Sequence, residues 1–146
     1  MKHSLLNTNR NNHFGFSMRP LKNYFWLVLS IVWSGVIVYF SFMSPVSADG
    51  ILMFENQDKL GHFIFYAVLS FSLIKTFSEE IFTLSPIKLG AAAAFAFGGL
   101  IELCQHFFTL DRYGSMMDAF ANGLGALLMA LLINKLPKPF RPSSKS

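Results

Sequence analysis

The stretch Tyr24-Phe-Trp-Leu-Val-Leu-Ser-Ile-Val-Trp-Ser-Gly-Val-Ile-Val-Tyr-Phe-Ser-Phe-Met43 carries no formal charge. As a helix rising 1.5 Å per residue, its roughly 20 residues cross a hydrocarbon core of about 30 Å. Trp26, Trp33 and Tyr39 add amphipathic rings, two of them near the ends, where such rings favour the membrane–water boundary. Basic residues ahead of the run and the small residues Val46-Ser47-Ala48 beyond it also suit a signal peptide. Against that, the run outlasts the roughly 7 to 15 apolar residues of a secretory signal. It reads as a membrane span.

Working outward, three more apolar runs follow: Leu60 to Phe77, Ile87 to Phe108 after Pro86, and Met116 to Leu136, which stops at Pro137. The chain is 53% hydrophobic with 17 Phe and only 14% charged residues, against the quarter-charged composition of a typical soluble domain. The reading is an all-α, four-span transmembrane helical bundle over residues 23–136, flanked by disordered basic tails at 1–22 and 137–146. One cysteine, Cys104, excludes an intrachain disulfide and a cysteine-based metal cage, and its apolar surroundings make it a packing residue.

Lys and Arg sort the ends. Lys2, Arg10, Arg19 and Lys22 precede the first span, and Lys135, Lys138, Arg141 and Lys145 end the chain. Lys75 and Lys88 flank the second connection, while the first and third hold only Lys59 and Arg112. By the positive-inside rule both termini and the second connection are cytoplasmic. The net charge of +4 belongs to the tails, whose partner is the anionic lipid surface; nothing calls for nucleic acid.

This topology brings the start of helix 2, the end of helix 3 and the start of helix 4 to the outer face, where the unusual residues gather. Asp58 and His62 are four apart on helix 2, with Tyr66 one turn further in. Glu102, Gln105 and His106 form an i, i+3, i+4 set on helix 3. Asp118 and Asn122 are four apart on helix 4, and Asp111 and Arg112 lie between. Gly98 and Gly99 straddle the line of Glu102, and Gly125 lies near that of Asp118, so both carboxylates should face neighbouring helices. An ionised residue at mid-bilayer costs about 2.5–3.5 kcal/mol on insertion scales, less near the interface, so Glu102 needs a partner, a proton or water. Simpler roles compete: Asp58 as the N-cap of helix 2, Asp118 closing a capping box with Ser115, His62 as a structural partner of Asp58, and Glu102 in an interhelical pair with Arg112 or His62.

The set Asp58-Lys59-x-x-His62-Phe63, Ile101-Glu102-x-x-Gln105, Arg112 and Asp118-x-x-x-Asn122-x-x-Gly125 resembles the VanZ-like family of membrane proteins over about residues 23 to 135. The founding member of that family is linked to low-level teicoplanin resistance. The long Asn- and His-rich N-terminal tail, with His106 and Asp111, stands apart from the shared pattern. The resemblance implies the same four-span fold, a place in the inner membrane of a bacterial cell and a link to glycopeptide tolerance, but no established reaction.

Three kinds of function remain open. The leading one is a non-enzymatic envelope protein whose outward polar cleft, formed by Asp58, His62, Glu102, Gln105, Arg112, Asp118 and Asn122, binds a cell-envelope precursor or a membrane-protein partner. In it Arg112 meets an anionic group, Gln105 and Asn122 hydrogen-bond it, and Glu102, Asp118 and His62 organise the walls. The second is an intramembrane hydrolase or transferase with Glu102 or Asp118 as general base, with or without a divalent ion beside His62. No HExxH run, nucleophile elbow or phosphate loop supports it. The third is an ion-coupled carrier, for which the inner halves of the helices look too apolar. No catalytic residue, resident metal or cofactor is assigned from the sequence.

Overall fold

The computed structural model describes residues 24–42, 57–79, 84–108 and 115–142. Four helices account for nearly all of them: α1 (Phe25–Phe42), α2 (Gln57–Glu79), α3 (Pro86–Phe108) and α4 (Met116–Leu132). At 1.5 Å per residue these are about 26–35 Å long, and each is apolar enough to cross a membrane. Large apolar side chains point outward along all of them, among them Phe25, Ile31, Phe95, Leu100, Phe120 and Leu131, each more than half exposed. A water-soluble bundle would bury that surface; a bilayer solvates it.

Successive helices run antiparallel. Near one end Ser30 on α1 meets Thr76 on α2, and Gly90 on α3 lies against Ile74. At the other end Gln105 on α3 reaches Ser41 on α1, and Asn122 on α4 reaches His62 on α2. The first and last described residues therefore share one end, called here the tail end; the opposite end holds the polar residues. Helix α2 is central and packs against all three others, most closely against α4.

Tight helix approach explains two glycines. A Cβ on Gly125 would run into the backbone carbonyl of Phe63, and one on Gly90 into the backbone and side chain of Ile74. Lipid chains are as apolar as leucine, so association in a membrane depends on such small-residue contacts and on interhelical hydrogen bonds. Around them, Ile37, Tyr66, Leu69, Ala94 and Ala126 form the buried core. Trp33 donates its indole N–H to the Phe65 carbonyl at 2.9 Å, tying α1 to α2.

Two expectations need correction. The tail half of α2 is not apolar: Ser70, Ser72, Lys75, Thr76 and Ser78 are all buried there. Their hydroxyls are consumed as polar glue. Ser72, Thr76 and Ser78 donate to carbonyls of α2 itself, and Ser70 donates to Ala126 on α4 at 3.1 Å. Between this cluster and the far end lie the fully buried Tyr66 and Leu69. The segment from Pro137, expected to be disordered, is ordered as far as Pro142. Pro137 disfavours helix at the residue before it, so α4 tightens into a 3-10 turn at Ile133–Lys135 and Leu136 turns extended. A second 3-10 turn, Lys138–Phe140, follows. Lys75 clasps it, donating to the carbonyls of Arg141 at 2.9 Å and Pro139 at 3.3 Å, while its ammonium lies over the Trp26 ring and the Phe140 ring packs at a tilt against Phe71. The tail at 1–22 and residues 143–146 lie outside the described residues.

Gly125→Ala is expected to destabilise the bundle by about 1–3 kcal/mol through overpacking. Gly99→Ala, with nothing within 4 Å of the added methyl, should be neutral or stabilising. Thermal unfolding in detergent compares the two. Lys75→Met should speed amide hydrogen exchange at Phe140 and Arg141, whose N–H groups close the second 3-10 turn, while leaving the centre of α4 unchanged.

Candidate functional site

Helix α2 is described from Gln57, three residues before its apolar run, and Asp58 in its first turn suits the positive end of the helix dipole. Asp58 is thus inside the helix rather than its N-cap. One turn on, His62 Nε2 stands 4.0 Å from Asp58 Oδ1. The Asp58 side chain is 60% exposed and that of His62 12%, so the pair marks a passage from water to interior.

Helix α4 begins beside it. Ser115 is the N-cap, its Oγ accepting from the Met117 N–H at 3.2 Å. In a capping box the carboxylate three residues on would accept the Ser115 N–H. Here that acceptor is Glu102 of α3: Ser115 N donates to Glu102 Oε2 at 2.9 Å. The reciprocal arm of the box comes from a different helix, and Asp118 is released from it.

The other oxygen, Glu102 Oε1, accepts from Asn122 Nδ2 at 3.3 Å and lies 4.0 Å from His62 Nδ1. Asn122 Oδ1 in turn lies 3.0 Å from His62 Nδ1. These contacts orient the amide. An ionised carboxylate only accepts, so the Asn122 NH2 faces Glu102 and its carbonyl oxygen faces the ring, which must donate from Nδ1. In a neutral imidazole this leaves the Nε2 lone pair turned toward Asp58. The chain Glu102–Asn122–His62 therefore links α3, α4 and α2.

Below it sits Tyr66, on the His62 face of α2. A Cβ at Gly98 would lie 3.0 Å from the Tyr66 ring and 3.1 Å from Asn122 Cβ, so ring and amide meet across that glycine. Tyr66 is fully buried, and its hydroxyl has no hydrogen-bond partner among the described residues. The nearby Gln105 is buried but turned elsewhere: its amide donates to the Ser41 carbonyl of α1 at 2.8 Å, bracing the end of α1.

Of the seven residues singled out in the sequence, Asp58, His62, Glu102, Asp118 and Asn122 come together. Gln105 braces the neighbouring helix, and Arg112, like Asp111, lies outside the described residues. His106 is exposed, its ring against Phe107. Sequence reasoning missed Ser115 as the partner of Glu102 and the orphaned Tyr66 hydroxyl; the i+4 spacing from His62 was the available signal for Tyr66. One donor atom each from Asp58, His62 and Asp118 lies within 4.8 Å of the other two, an arrangement compatible with a metal ion. Compared with family models, curated proteins and solved structures, the chain matches none.

Glu102→Ala orphans the Ser115 N–H and the Asn122 amide, at about 1–3 kcal/mol for each buried donor left unpaired. A double-mutant cycle of Glu102→Ala with Asn122→Ala should show coupling of about 0.5–3 kcal/mol. Additive losses would mean that the two residues act separately.

Proposed function

We propose that this chain is a multi-pass protein of the bacterial inner membrane, VanZ-like in its motif set, with both termini cytoplasmic. Its polar cleft opens outward and binds a cell-envelope precursor or a membrane-protein partner, without catalysing a reaction. The observation that carries this reading is the gradient of burial among polar side chains at one end of the bundle. Asp58 is exposed, His62 and Asp118 are half-buried, and Glu102, Asn122 and Tyr66 are buried.

Such a gradient suits a ligand that is part headgroup and part lipid. Polar contacts near the boundary select the headgroup, while the apolar outer faces of the helices tolerate its chain. Arg112, on the connection that follows α3, adds a cation for an anionic group. Gln105 is reassigned from ligand contact to bracing. Both oxygens of Glu102 accept hydrogen bonds from α4, which gives that carboxylate an organising role in the cleft. Tolerance of glycopeptides of the teicoplanin type follows from the resemblance in motifs and is the first phenotype to examine.

In a deletion strain challenged with glycopeptides, detergents and cell-wall inhibitors, the wild-type gene should restore growth. Glu102→Gln, Asp118→Asn and Arg112→Ala at equal expression should not. If all three complement fully, the cleft is not the functional part of the molecule.

A further inference from the structure

We infer that Asp58, His62 and Asp118 form a binding site for one divalent transition-metal ion at the mouth of the cleft. The geometry is the first argument. An ion such as Zn2+ holds imidazole nitrogen at about 2.0–2.1 Å and carboxylate oxygen at about 2.0–2.2 Å. Two atoms bound tetrahedrally to one such ion are therefore about 3.4 Å apart. His62 Nε2 and Asp58 Oδ1 are 4.0 Å apart, too far for a hydrogen bond and about half an ångström beyond that separation. All three donors fall within 4.8 Å, so small side-chain rotations bring them onto one centre.

The second argument is the tautomer. Metal-bound histidines commonly donate their other ring N–H to a fixed acceptor, which orients the ring and raises its basicity. His62 has this arrangement: Nδ1 is held by Asn122 Oδ1, and Asn122 is held by the buried Glu102. Nε2 is left with its lone pair toward the carboxylates. These bracing contacts lie outside the ligand set, on α3 and on the second turn of α4.

Third, the Tyr66 hydroxyl is fully buried on the His62 face, one turn deeper and within electrostatic reach of Glu102, with no hydrogen-bond partner among the described residues. Buried polar groups of this kind point to something bound beside them. One imidazole nitrogen with two carboxylates favours Zn2+ or Mn2+ over Mg2+ and Ca2+. Three protein donors leave at least one position open, as in metal sites that bind ligands.

The ion deepens the cleft reading and rests on it only for the ligand. A dication between Asp58 and Asp118 offsets their charge and offers its open coordination position to an anionic headgroup. For the test, the full chain is placed in zwitterionic nanodiscs, stripped with chelator and equilibrated with Zn2+ or Mn2+. Metal is counted by mass spectrometry, and Co2+ is used as a spectroscopic probe. One ion per chain is expected, with a Co2+ ligand-field spectrum that changes in Asn122→Ala. Asn122→Ala should weaken binding about 10- to 100-fold, the usual effect of losing a group that orients a ligand. His62→Gln and Asp118→Asn, compared at equal helix content, should weaken it further, whereas the exposed His106→Ala should not. Substoichiometric metal in the wild type overturns the proposal. So does metal retained equally by His62→Gln and Asp118→Asn, which would assign it to the tail histidines His3 and His13. No envelope ligand is present in this assay, so a negative result removes the ion and leaves the growth phenotype to judge the cleft.

Discussion

The polar end of the bundle depends on the Glu102 carboxylate, held between the first N–H of one helix and the amide of a residue two turns further along it. By helix rise Glu102 lies about 9 Å from the end of α3 at Phe108, a depth at which an unpartnered charge is costly. Its oxygens accept from Ser115 and Asn122, and charge-assisted bonds of this kind contribute about 1.5–3 kcal/mol each. The carboxylate thereby becomes the cap of α4. It sets both the height and the rotation of that helix against α3.

From that one contact the rest of the site follows. With α4 pinned by its first turn, Asn122 is aimed at both Glu102 and His62, and Asp118, relieved of capping, joins Asp58 and His62. The close seat of α4 on α2, where Gly125 meets the Phe63 backbone, fixes the same register from the other side. Polar and steric contacts agree, and that agreement gives α2 and α4 a single arrangement. At the tail end a different device works: Lys75 gathers the carbonyls of the last 3-10 turn beneath Trp26.

Much of the fold is legible from hydropathy alone, because apolar runs of about 20 residues with at most two charges each, two of them bounded by Pro86 and Pro137, have few alternatives in a bilayer. The faces of the site residues are legible too, since i, i+4 spacing fixes angular position within a helix. Partnership across helices is not. It depends on the relative height and rotation of neighbours, which spacing within one helix does not encode. For that reason Ser115 pairs with Glu102 rather than Asp118, and Gln105 reaches α1 instead of the cleft. The buried serines of α2 were overlooked because a hydroxyl that bonds its own helix looks the same in sequence as one facing water. The ordered turn after Pro137 depends on Lys75, more than 60 positions away.

The central claim is that the polar cleft lies at the outer face of a membrane-embedded bundle. Labelling of single-cysteine variants by a membrane-impermeant maleimide tests it most directly, in a Cys104→Ser background. Met116→Cys reports the polar end through a highly exposed position, and Lys138→Cys reports the tail end. The account predicts labelling of the Met116→Cys variant in intact cells and of the Lys138→Cys variant only after permeabilisation. The reverse pattern, or labelling of both in intact cells, would contradict it.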